Sequence, residues 1–132
     1  MSQNLDLVRS ICADLERGEF SRWVEFADPE IEAVNVDGLI PVRSKGVRVA
    51  EERLRDFMAA WEDFHVEVEE YRELDGERVL VLLRRSGRGQ ASGVELHGAR
   101  GAELFHVRDG RITKLIWYWD RERALADLGL EE

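Results

Sequence analysis

The chain has 132 residues, 44% of them hydrophobic, which is enough for a single domain spanning residues 1–132 with one core. Its 28 acidic against 19 basic side chains give a formal charge of -9, which speaks against nucleic acid and against an anionic membrane surface as partners, since both need a basic footprint. The 1 cysteine excludes a disulfide within the chain, and the beginning lacks the basic-then-apolar pattern of a signal peptide, so the expected location is cytoplasmic.

Asn4 reads as the cap of a helix over residues 5–17, in which Leu7, Val8, Ile11, Cys12 and Leu15 recur at helical spacing. Gly18 is its stop signal. Ser21 opens a second, short helix carrying Trp23, Val24 and Phe26, and Asp28-Pro29 punctuates it. Residues 31–36 alternate as a short strand. Residues 37–46 read as an irregular loop or cavity rim, with turn signals at Asp37-Gly38, Pro41 and Gly46. A helix over 49–62 follows, with an apolar stripe of Leu54, Phe57, Met58 and Trp61.

Residues 64–73 alternate as a strand, and Asp75-Gly76 signals a hairpin. The strand at 78–85 is apolar on both faces, so it is central, with helices on one side and a partner or more protein on the other. Residues 86–93 form a polar connection whose glycines do not match a phosphate-binding fingerprint. A long strand at 94–107 is expected to bend at Gly98 or Gly101. Asp109-Gly110, between apolar runs at 102–107 and 112–119, is a second hairpin signal. A last helical turn at 123–128 closes at Gly129. Helices grouped before a mostly antiparallel sheet mean α+β, and a curved sheet wrapped over helices makes a cone whose interior is a pocket.

Several short stretches, in order, carry a resemblance. They are Leu15-Glu16-Arg17-Gly18-Glu19, Phe26-Ala27-Asp28-Pro29, Gly46 ahead of the helix reaching Phe57 and Trp61, Arg108-Asp109-Gly110-Arg111-Ile112, and the tail from Trp119-Asp120-Arg121 to Leu128-Gly129-Leu130. Together they resemble the nuclear transport factor 2-like superfamily, within it the SnoaL-like polyketide cyclase and ketosteroid isomerase-like group. The resemblance implies a cone-shaped cystatin-like roll, with three helices in the N-terminal half packed on a curved, mostly antiparallel sheet. It also implies a homodimer through the outer sheet face and a small-molecule pocket between helices and sheet. No cofactor and no metal are implied.

The catalytic groups of that family transfer poorly. The tyrosine of ketosteroid isomerases corresponds to Ile11, and their aspartate base falls at Val34 or Asn35, neither a carboxylate. Their second acid falls near Ala102 or Glu103. For the SnoaL-type proton transfer, His97 is the candidate by position. The two aspartates and arginine of limonene epoxide hydrolase-like members are matched by Arg100 alone, with Ala102 where an aspartate belongs and Asp120 at the extreme end of the last strand.

The catalytic candidates are therefore His97 and Glu103, which share strand parity if no bulge intervenes. His65 and His106 complete no metal-binding spacing with it. Of Arg84 and Arg85 one points inward; Arg84 is taken as the ligand group, for a carboxylate, phosphate or enolate oxygen. Trp61, Trp117, Trp119 and Tyr118 supply apolar surface for the ligand, and Asp37 supplies polarity at the pocket mouth. The functional reading is a small-molecule-binding protein with acid–base chemistry of the isomerase, cyclase or lyase type on a partly apolar substrate. The alternative is a non-catalytic ligand-binding or dimeric accessory module. A Ser-His-Asp relay is disfavoured, since no serine lies in a nucleophile-elbow pattern.

Overall fold

In the computed structural model, which describes residues 2–38 and 42–131, a single six-stranded sheet organises the chain. The strands are β1 (Ala27–Asn35), β2 (Val42–Lys45), β3 (Trp61–Glu73), β4 (Arg78–Gly89), β5 (Glu95–Arg108) and β6 (Arg111–Tyr118). Their spatial order is β2-β1-β6-β5-β4-β3. All neighbours are antiparallel except β1 and β6, which run parallel. The helices are α1 (Gln3–Glu16), α2 (Val47–Ala59) and α3 (Arg121–Leu128), with a 3-10 turn at Arg22–Phe26.

The expectation of three helices in the N-terminal half is corrected: α3 is C-terminal. Alternation along the strands gives the reason for its place. Val79, Val81, Leu83 and Phe105 face α1 and join one core with Val8, Ile11 and Cys12. Leu80, Leu82, Ala102, Leu104 and Tyr118 face the other way and join a second core with Ala124 and Leu125 of α3. A strand apolar on both faces needs two covers, and α3 provides the second from within the chain. Each large aliphatic side chain so buried contributes about 1.5–3 kcal/mol.

Local signals place several boundaries differently. Ser2, not Asn4, caps α1: its Oγ accepts the Leu5 N–H at 3.0 Å. The Asn4 amide instead donates to the Gly76 carbonyl at 2.7 Å, tying the helix start to the β3–β4 turn. β2 falls inside the segment read as irregular, pairing Val34 with Arg43 and Ala33 with Ser44; the Pro41 turn lies outside the described residues. β4 continues through the polar glycine-rich stretch to Gly89. Asp109 and Gly110 both take positive φ, 52° and 75°, the paired left-handed conformation that a tight hairpin requires. α3 begins earlier than residue 123, on an Asp120 side chain that accepts the Glu122 N–H at 3.0 Å, and it ends on Gly129 at φ 68°.

Candidate functional site

Between the helices and the sheet lies a cavity of about 440 Å³. That is within the usual range for a small-molecule site. Its wall is mainly apolar, from Ile11 and Leu15 of α1, Phe57 and Met58 of α2, and Phe105 and Leu115 of the sheet.

One row of the sheet brings the polar groups together. Glu103 pairs with Trp117, and Trp117 pairs with Asn35, so three adjacent strands present these side chains side by side. All three line the cavity. Ser44 enters from β2, one row along and opposite Ala33.

Glu103 is 5% exposed and Arg85 4% exposed, and they form an ion pair at 3.5 Å (Nη2 to Oε2). Arg85 also donates to two backbone carbonyls, Tyr118 at 2.6 Å and Ala102 at 3.4 Å. Its guanidinium lies 4.9 Å from the centre of the Trp119 ring, a cation–π contact. Gly101 makes room for this: a Cβ there would fall on Arg85 Nη1 and lie 2.8 Å from the Tyr118 carbonyl oxygen. Burial pushes the Glu103 carboxyl up, against the pull of Arg85. Burial also lowers Arg85, but a guanidinium starts so high that it stays cationic. The outcome is a carboxyl pushed above the usual carboxylate range inside an apolar chamber.

The other expected residues separate into those at the cavity and those away from it. Trp117 and Trp119 line it. Trp61 stands behind that wall, stacked on Trp119 at 6.5 Å and packed against Phe57 at 5.8 Å. Tyr118 faces the outer side in the core beneath α3, where its hydroxyl donates to Asp127 Oδ2 at 3.2 Å. Burial, and then Asp127, push that hydroxyl up to about 12. The Asp37 carboxylate accepts the backbone N–H groups of Trp119 (2.8 Å) and Asp120 (2.9 Å), so it anchors the end of β6. Arg84 donates to Glu69 Oε2 at 2.9 Å and to the Gly98 carbonyl at 3.0 Å, outside the cavity.

His97 is not brought to Glu103. Its side chain is 81% exposed and its Nε2 lies 3.0 Å from Glu95. A bulge is the cause. Arg85 pairs with Ala99 but Gly87 pairs with Leu96, so β5 holds one extra residue there, with Gly98 at φ 64°. The extra residue reverses the alternation, and His97 points away.

Sequence reasoning missed Arg85, Asn35 and Ser44 as site residues. Arg85 shares parity with the core residues Val81 and Leu83, but both faces of that strand are apolar, so parity alone does not mark the cavity side. Ser44 had no such signal, because its strand is only four residues long.

The SnoaL-like domain family matches residues 8–115. The chain belongs to this family. No curated protein matches it. Among solved structures, a nuclear transport factor 2-like protein of unknown function from Burkholderia pseudomallei is similar over 96% of this chain and 97% of its own, at 18% identity and TM-score 0.78. A protein of unknown function with a cystatin-like fold from Xanthomonas campestris matches over 89% and 90%, at 19% identity and TM-score 0.77. A protein provisionally named a SnoaL-like polyketide cyclase, from Jannaschia, matches over 88% and 84%, at 19% identity and TM-score 0.71. At these identities the likeness is one of fold, and one fold hosts many functions. Among the described residues no helix of this SnoaL-like chain is long and apolar enough to cross a membrane.

Proposed function

We propose that this SnoaL-like protein binds a partly apolar small molecule in its cavity and moves a proton at an activated carbon of it, as an isomerase, cyclase or lyase does, with Glu103 as the proton-transfer group. The observation that carries the reading is the Glu103 carboxyl, 5% exposed, on the cavity wall and shifted upward by burial. Such a group is a base when ionised and an acid when protonated. Arg85, 3.5 Å away, places a fixed positive charge beside any oxyanion that develops as the carbon loses its proton. Trp117 and Trp119 supply faces for a ring.

The test is hydrogen–deuterium exchange at the carbon alpha to the carbonyl of 2-tetralone, in deuterated buffer, followed by proton NMR. The expected result is exchange faster than buffer alone, reduced on the order of 100-fold or more in Glu103→Gln. Exchange that survives Glu103→Gln contradicts the assignment. Binding of 2-tetralone with no exchange removes the catalytic reading and leaves a ligand-binding module. Pairing of two copies through the part of the outer sheet face that α3 leaves open belongs to the same proposal, and a monomer mass at micromolar concentration would remove it.

A further inference from the structure

Two buried polar atoms, Asn35 Oδ1 and Ser44 Oγ, have no hydrogen-bond partner among the described residues. Both belong to cavity-lining residues, and Ser44 is only 8% exposed. Buried polar atoms are nearly always satisfied, and leaving one open is costly. Here two open atoms sit on one wall, in adjacent rows of the β1–β2 pair.

Gly38 leaves room for the Asn35 amide, since a Cβ there would come within 3.2 Å of Asn35 Nδ2 and 3.3 Å of Oδ1. The chemistry of the pair is complementary. An amide oxygen accepts only, while a serine hydroxyl both donates and accepts. A single hydroxyl matches both in chemistry, as a donor to Asn35 Oδ1 and an acceptor from Ser44 Oγ. A bare carbonyl leaves the amide oxygen open, and a carboxylate sets negative charge against it.

We propose that Asn35 and Ser44 form a hydroxyl-recognition subsite, so that the ligand is a hydroxylated, ring-sized apolar molecule. The inference rests on the reading of the cavity as a ligand site. It adds a direction to that reading. Asn35 and Glu103 stand on either side of Trp117 in the same row. Two strand spacings separate them, roughly 10 Å at the backbone. The hydroxyl and the reacting carbon are therefore at opposite ends of a body of one or two rings, lying over the Trp117 side chain.

The experiment compares naphthalene with 2-naphthol by isothermal titration calorimetry on the wild-type chain, on Ser44→Ala, and on Asn35→Val/Ser44→Ala. Two recovered hydrogen bonds predict that wild type prefers 2-naphthol about tenfold. The preference should fall to about threefold in Ser44→Ala and vanish in the double variant, with naphthalene affinity held within about twofold. Circular dichroism checks folding, and the single variant carries the comparison if the double one does not fold. Equal binding of the two probes to wild type overturns the subsite and leaves the cavity reading standing. A preference that persists in the variants also overturns it, because the hydroxyl then sits elsewhere. Failure of wild type to bind either probe counts against the cavity reading and the subsite together.

Discussion

The two faces of the central sheet each bury an arginine, and they treat it differently. On the outer face Arg121, at the start of α3, donates to the carbonyls of Leu83 (2.8 Å) and Gly101 (3.3 Å) and to Glu69 Oε1 (2.6 Å). The cavity face holds Arg85, whose carboxylate partner Glu103 is itself buried and stands at a longer 3.5 Å. Glu69, about a third exposed, is held below the usual carboxylate range by its bonds to Arg84 and Arg121. Glu103 is pushed the other way. The outer face closes its hydrogen bonds and reads as structure, with α3 locked over it. On the cavity face Asn35 Oδ1 and Ser44 Oγ have no hydrogen-bond partner among the described residues and a carboxyl is held out of water, the two observations on which the proposed ligand site rests.

The largest effect that separates the faces is expected from Arg121→Ala. It strips donors from two buried carbonyls and a carboxylate, and urea unfolding should show a loss of about 3 kcal/mol, discounted because Glu69 is partly exposed. Binding of 2-naphthol should change little in the folded fraction; a large change would merge the two faces into one functional unit. Gly101→Ala should cost about 2 kcal/mol by overpacking and, unlike Arg121→Ala, should disturb the cavity, because Arg85 must leave its place. Retained Arg85-dependent properties with no loss of stability would break that distinction. Tyr118→Phe should cost about 1 kcal/mol, the value of its hydrogen bond to Asp127, and leave ligand affinity as it is. The smallest effect belongs to His97→Ala. With a side chain 81% exposed, it should leave 2-tetralone exchange within about twofold, and a loss beyond tenfold would return His97 to the site.

Much of the fold was legible because its signals are local. Asp109-Gly110 announces the last hairpin, Gly129 ends α3, and the stripe of Leu54, Phe57 and Met58 marks α2, although Trp61, counted in that stripe, begins β3. The place of α3 was not legible. The double-sided apolar pattern of β4 demands a second cover but does not say whether it comes from a partner or from the chain's own C-terminus. In the site, Trp117 and Trp119 share a face by alternation, which holds along that part of the sheet, while Glu103 was reached through the family resemblance. Alternation failed at His97, since a one-residue bulge at a glycine reverses every side chain beyond it. It could not separate Arg84 from Arg85, because both faces of their strand are apolar. Ser44 became visible only through the partner it lacks, which is a property of the fold, and Asn35, met in the sequence only as a non-carboxylate at the family's aspartate position, is singled out in the same way.

Glu103 itself ties these readings together, and its sign is definite. A carboxyl raised in the folded state gives stability that is complete below its unfolded value, about 4.3, and is lost as pH rises through the folded value. Wild type should therefore lose stability across that window relative to Glu103→Gln, as followed by urea unfolding at several pH values. The most direct measurement is a carbon-13 NMR titration of the glutamate carboxyls with and without 2-tetralone. The account predicts one glutamate titrating above the ordinary range, absent in Glu103→Gln and displaced when 2-tetralone binds. Glutamates that all titrate in the ordinary range, with none moved by 2-tetralone, would contradict it.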